Sequence, residues 1–120
     1  MRLAFISIGF QGTPADVQIA LIIQRYTADG TNTSVTPIPL DPADEAGTAA
    51  TAGENHTAEP TYTAGAELLD LSAHQRNTIL WYAPPGGELV IPATNEAGIG
   101  IQTDTSSGTP TCVATMHSDE

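Results

Sequence analysis

Three histidines, one cysteine and a short run of carboxylates are the residues of this chain that could do chemistry. His56, His74 and His117 lie far apart. No two share the i, i+4 spacing of a helical zinc site, and the single Cys112 cannot complete a Cys/His set. The spacing therefore reads as three surface histidines and no metal site. One cysteine also excludes an internal disulfide framework. Cys112 stands beside Val113 in an apolar stretch, the setting of an inert thiol rather than an activated one. Asp41, Asp44 and Glu45 crowd three carboxylates together. Hard cations take clustered oxygens, but the D-x-D-x-[DN]-G order is missing, so the run reads as a solvated acidic loop. There is no G-x-S-x-G nucleophile elbow and no glycine loop shaped to cradle phosphate. Trp81 and Tyr82 run into Pro84 and Pro85, which reads either as an aromatic binding platform or as a core tryptophan on a central strand. Asn32-Thr33-Ser34 and Asn55-His56-Thr57 match the glycosylation sequon by chance in a threonine-rich chain. The residues thus name no catalytic, cofactor-binding or metal-ligating group, and the expectation is a protein that is not an enzyme and needs no cofactor.

The elements that would position any site read mostly as strands. Residues 3–8 are apolar and β-favouring and stop at Gly9. Residues 17–26 alternate, with Val17, Ile19, Leu21 and Ile23 on one face. A helix over 15–25 capped by Asp16 is the competing reading, but the density of Ile and Val and the Asp29-Gly30 turn signal favour a strand. Residues 35–40 are extended, and Pro37 and Pro39 keep them out of a central sheet position. Residues 41–64 are built from Ala, Thr, Gly, Pro, Asp and Glu and read as one long loop, with a short helical turn near 42–46 as the alternative. With almost no apolar side chain to anchor it, that loop is expected to be mobile and protease-sensitive in isolation. Short strands return at 67–72, 78–83, 88–91, 98–103 and 111–116, with a tight turn at 84–87. About eight strands and almost no helix predict an all-β chain, an antiparallel β-sandwich or jelly roll. The 120 residues are expected to form one domain over 1–120.

Charge narrows the function classes. The chain has 14 Asp and Glu against 3 Arg and no Lys, for a net charge of −11. An acidic surface argues against nucleic acid, which needs a basic face, and against anionic lipid. No stretch approaches the length of a spanning helix, and the opening residues lack a convincing small-x-small cleavage site. Synthesis in the cytoplasm is the expectation.

Three stretches together resemble a family of small structural proteins of tailed bacteriophages. Arg25-Tyr26-Thr27 leads into Gly30-Thr31, then Thr36-Pro37 and Leu40-Asp41. Ala58-Glu59-Pro60-Thr61 follows. Glu88-Leu89-Val90-Ile91-Pro92 precedes Gly98-Ile99-Gly100-Ile101, and the chain closes on Asp119-Glu120. The resemblance covers nearly the whole chain. It implies a jelly-roll-like sandwich that decorates a virion, a capsid cement or decoration protein on the outer surface of the head. Its implied partners are the major capsid protein and copies of itself, with a trimer favoured. It implies no catalytic residue. Members of the family carry one or two further strands before the position of Arg2, so residues 3–8 are expected to form an open sheet edge that pairs with a neighbour or with the shell. The alternative is a carbohydrate- or host-surface-binding module of a head fibre, turret or tail, using Trp81, Tyr82 and the 41–45 loop. A metal enzyme of the cupin type is disfavoured because no His-x-His element is present.

Overall fold

The computed structural model describes residues 1–44, 51–103 and 110–119. Two neighbouring strands supply the centre of the core. β1 (Arg2–Gln11) buries Leu3, Ile6 and Ile8, and β2 (Gln18–Ala28) buries Ile19, Leu21 and Ile23. The β2 residues are two apart, as a pleated strand requires for one face. On a helix Ile19 and Leu21 would point to nearly opposite sides, so the shared burial settles the strand reading. Leu3 and Ile6 are three apart. The extra residue is taken up by a bulge between Leu3 and Phe5, which restores the alternation on the far side.

The remaining strands flank these two. β3 (Thr31–Val35) and β4 (Ala52–Ala58) follow β2, then β5 (Thr61–His74), β6 (Ile79–Tyr82), β7 (Leu89–Val90), β8 (Gly98–Thr103) and β9 (Thr111–Asp119). All pairings are antiparallel, and no described residue is helical. β1 is central in its sheet. β6 lies along Phe5 to Ile8 and β7 along Arg2 and Leu3 on one side, while β9 runs the length of the other. β2 is central in the second sheet, between β5 and β8. The inner faces of the two sheets meet in one core, to which Leu69, Leu71, Ile79, Trp81, Leu89, Ile99 and Ile101 add a partly buried rim. Arg25 ties the layers at one end, donating to the Val90 carbonyl at 2.7 Å. Gln75 ties the other end: its side-chain oxygen accepts from the Ala15 N–H at 2.9 Å, and its own N–H donates to the Val17 carbonyl at 3.1 Å. The fold is thus all-β and sandwich-like.

Two expectations change. The strand over residues 3–8 is not an open edge, since β1 has partners on both sides. The edges of that sheet are β9 on one side and β6 with β7 on the other. Residues 41–64 are not one loop either. The chain turns at residues 41–44, where the Asp44 N–H meets the Asp41 carbonyl at 3.0 Å and the Ala43 N–H meets Asp41 Oδ1 at 2.9 Å. It then returns as β4 and the first residues of β5. Alternation failed as a signal there because β4 buries neither face: all seven of its residues are exposed. The helical turn near 42–46 is reduced to this bend for residues 42–44, and residues 45 and 46 lie outside the described residues.

Glycine and isoleucine alternate in β8 for a packing reason. Ile99 and Ile101 join the core rim. Gly98 and Gly100 face outward beneath the rings of Tyr26 and Tyr62, and a Cβ on either would collide with the phenol above it.

Leu21→Ala is expected to cost about 2–5 kcal/mol, the range for emptying a well-packed core position. Val17→Ala, at an exposed site just before the same strand, should cost less than about 1 kcal/mol. Urea unfolding of both variants checks the assignment of the core. Gly98→Ala should cost roughly 1–3 kcal/mol through overpacking, a loss that Tyr26→Ala on the same background should partly recover.

Candidate functional site

The most distinctive feature is an arm. β3 continues β2, and β4 leads into β5, so the β2–β5 hairpin carries on beyond the sandwich as the two-stranded ribbon β3–β4. Asp29 and Gly30 look like a stop signal in sequence. They are a kink within a continuing ladder, because Ala28 pairs Thr61 and Thr31 pairs Ala58. Gly30 has φ +73°, and any Cβ there would strike the Ala58 carbonyl, so the kink requires glycine.

A small polar and aromatic cluster holds the arm's root. Tyr26 and Tyr62 meet edge to face, with ring centroids 6.4 Å apart. Burial, then the charge of Asp29 and a hydrogen bond to it, raise the Tyr26 pKa above its ordinary value. Burial, then the charges of Glu59 and Tyr26, raise that of Tyr62. Asp29 also accepts from the Asn32 side-chain amide at 3.0 Å. Beside the root lies a crevice of about 180 Å³ lined by His56, Glu59, Pro60, Tyr62, Gln102 and Thr103, with Ile101 at its base. It is smaller than the several hundred Å³ of an ordinary small-molecule site.

The arm has no core of its own. Beyond the last strand residues of β3, Ile38 is 86% and Leu40 76% exposed. Val35 at the end of β3 is exposed as well. Pro37 and Pro39 separate these side chains and withhold two backbone donors. An isolated two-stranded ribbon is at best marginally stable in water. An apolar tip on such a ribbon exposes side chains that burial against another surface would stabilise by about 1.5–3 kcal/mol each.

A second exposed surface is the outer face of the β1 sheet. Phe5 stacks at 4.8 Å on Tyr82 and at 4.9 Å on His117. Leu80, Tyr82, Val90 and Val113 are exposed around them. Strand alternation divides the aromatic pair singled out in the sequence. Tyr82 points outward, whereas Trp81 packs against the core. The two do not form one platform.

The other candidate residues fall apart in space. His74 Nε2 lies 3.0 Å from Asp16 Oδ1 and accepts the Arg76 N–H at Nδ1, 3.3 Å away, so its ring fastens a turn. His56 lies on the arm and His117 on β9. No group of three or more His, Cys, Asp or Glu side chains among the described residues could hold a metal ion. Asp41 and Asp44 sit in the turn at the arm's tip, and Glu45 lies outside the described residues. Cys112 is on β9 opposite Phe10; the residue is exposed, and partial burial of its sulfur raises the thiol pKa, away from activation. The arm itself was missed in sequence. Its available signals were the alternating strand-favouring Thr31, Thr33 and Val35 and the matched turn residues at its kinks, Asp29-Gly30 and Glu59-Pro60.

Comparison with protein-family models, with curated proteins and with solved structures found no match to this chain.

The raised tyrosines give the fold a sensitivity to alkali. Their neutral forms are favoured in the folded state, so their contribution is intact below the ordinary tyrosine pKa near 10 and falls as pH rises beyond it, because the unfolded chain releases those protons first. Stability measured by denaturant should therefore decline above about pH 10. The decline should be shallower in Tyr62→Phe, with tyrosinate absorbance reporting the titration.

Proposed function

We propose that this protein is a virion structural protein, a capsid cement or decoration protein that binds the outer surface of a tailed-phage head. The observation that carries this reading is the β3–β4 arm, an exposed ribbon with apolar side chains at its tip that no described residue covers. The motifs behind the phage resemblance fall largely on this element. Arg25 to Asp41 runs along β2 and β3 to the tip, and Ala58 to Thr61 is the return into β5. A shell-binding protein has a stable body and a presented contact element, and the sandwich and the arm correspond to these.

On this reading the arm docks on the major capsid protein, with Val35, Ile38 and Leu40 as anchors. The sandwich is jelly-roll-like, with β1 paired to β9 and β2 to β8, so that the outer strands of the chain nest around the inner ones. A net charge of −11 keeps many copies soluble. The protein performs no chemistry and binds neither nucleic acid nor membrane. It is made in the host cytoplasm and resides on the capsid surface. The outer-face aromatics support a second reading, a glycan-binding module of a head fibre, turret or tail, in which exposed Tyr82 on Phe5 would be the stacking surface.

Quantitative mass spectrometry of purified virions tests the first reading. A copy number of the same order as the major capsid protein is expected, and the double variant Ile38→Asp with Leu40→Asp should fold normally but be absent from particles. A handful of copies per virion would transfer the protein to fibre or tail. In that case glycan binding lost in Tyr82→Ala would be the expected finding.

A further inference from the structure

The sheet edges of this protein are guarded unequally. β6 and β7 have four and two residues, and Pro84, Pro85 and Pro92 bound them. β5 is bulged against β2, turns at Gly65 with φ +73°, and carries Glu67 and Asp70. β8 has six residues, of which two are glycine. Short strands, prolines, bulges and charges are the usual protections of an edge. Over residues 111–117, β9 has none of them. It runs nine residues, holds an unshifted register against β1 from Phe5 to Gln11, and contains no proline, lysine or arginine. Its one carboxylate, Asp119, stands at the end. Among the described residues β9 pairs only with β1, which leaves its other side open. Apolar side chains are exposed on both of its faces, Val113 outward at 43% and Met116 on the inner side at 42%.

We propose that the open side of β9 pairs antiparallel with β9 of a second copy, so that two β1 sheets become one continuous sheet across a two-fold axis. Three features select a second copy as the occupant. The first is charge. This chain carries 14 carboxylates, yet Thr111 to Ser118 contains none, so two β9 strands meet without like charges in register. The second is register. Full overlap of the two nine-residue strands places Thr115 opposite itself on the axis. Cys112 then faces Ser118, Val113 faces His117, Ala114 faces Met116, and each Asp119 lies opposite a threonine, Thr111. The third is face. Each of these pairs joins positions an even number of residues apart on the strand, so outer side chains meet outer ones and inner meet inner. The exposed aromatic face around Phe5 and Tyr82 then continues across the axis through His117 and Val113 of each copy. Because the contact is self-complementary, it closes at two copies and does not propagate into a fibre. The resemblance implies a trimer, whereas edge pairing of this kind makes a dimer. The inference does not rest on the capsid reading, since the same edge would dimerise in a protein with any role.

Sedimentation equilibrium of the full chain is expected to give twice the 12.4 kDa monomer mass. Thr115→Asp sets two carboxylates face to face on the axis, at a position exposed in the single chain, and should weaken the dimer by about tenfold or more. Thr115→Val should leave it intact. Engineered thiols read the register independently of any loss of folding. In a Cys112→Ser background, Thr115→Cys should oxidise to a disulfide-linked dimer. Val113→Cys should not, because the two copies of that residue stand four positions apart along the strand, roughly 13 Å, beyond disulfide reach. A monomer or trimer by mass, a dimer indifferent to Thr115→Asp, or crosslinking through position 113 rather than 115 would overturn the proposal.

Discussion

The contact between the inner faces of β1 and β2 is the constraint on which the rest of the structure depends. Leu3, Ile6 and Ile8 lie on one side of it and Ile19, Leu21 and Ile23 on the other, and each is at most 2% exposed. These are the innermost strands of their sheets, so each has both hydrogen-bonding sides filled and one face dry. The other strands of the sandwich borrow their positions from them. β6, β7 and β9 take register from β1, and β5 and β8 from β2. The bulge near Ala4 belongs to the same constraint, since without it Leu3 and Ile6 could not share the core face.

A small core has limits, and they shape what the surface offers. Among the described residues, the packed centre consists of seven buried apolar residues with a partly buried rim. Strands far from that centre keep their backbone pairing but find little to pack against. β9 shows this on both faces, and β3 and β4 show it more strongly. The arm is ordered by its ladder, by the Tyr26–Tyr62 contact at its root, and by a glycine where two backbones nearly touch. Its stability comes from anchorage at one end. Exposed apolar side chains at the other end are consistent with a partner surface completing what the chain leaves open.

Function on this reading comes from geometry of contact and not from reactive groups. The titratable residues that drew attention in sequence are dispersed or engaged in local structure, as His74 is with Asp16. The tyrosines are the groups whose environment is most informative, and they serve the arm's root. On the dimer proposal, the acidic surface and the absence of carboxylates from Thr111 to Ser118 together direct where two copies meet.

The amino-acid order alone was sufficient for the strand class of most elements. The alternation of Ile19, Leu21 and Ile23 and the apolar, β-favouring run in β1 express core burial directly, because a residue's apolarity is needed wherever it is buried. It was sufficient as well for the 84–87 turn, where glycine after proline meets a local backbone demand, and the Gly87 N–H reaches the Pro84 carbonyl at 2.8 Å. The separation of Trp81 from Tyr82 followed from the pleat once residues 79–82 were a strand. Sheet neighbours were a different matter. That β1 is central rather than an edge depends on β9, whose paired residues lie 100 or more positions away in the chain, and no local pattern encodes such a partner. The arm was illegible for the opposite reason: β4 is exposed on every residue, so burial leaves no periodic mark, and its strand form comes from pairing with β3. Interactions local in the chain leave a signature in local composition. Those between distant segments, or with nothing to bury, exist only once the chain has folded.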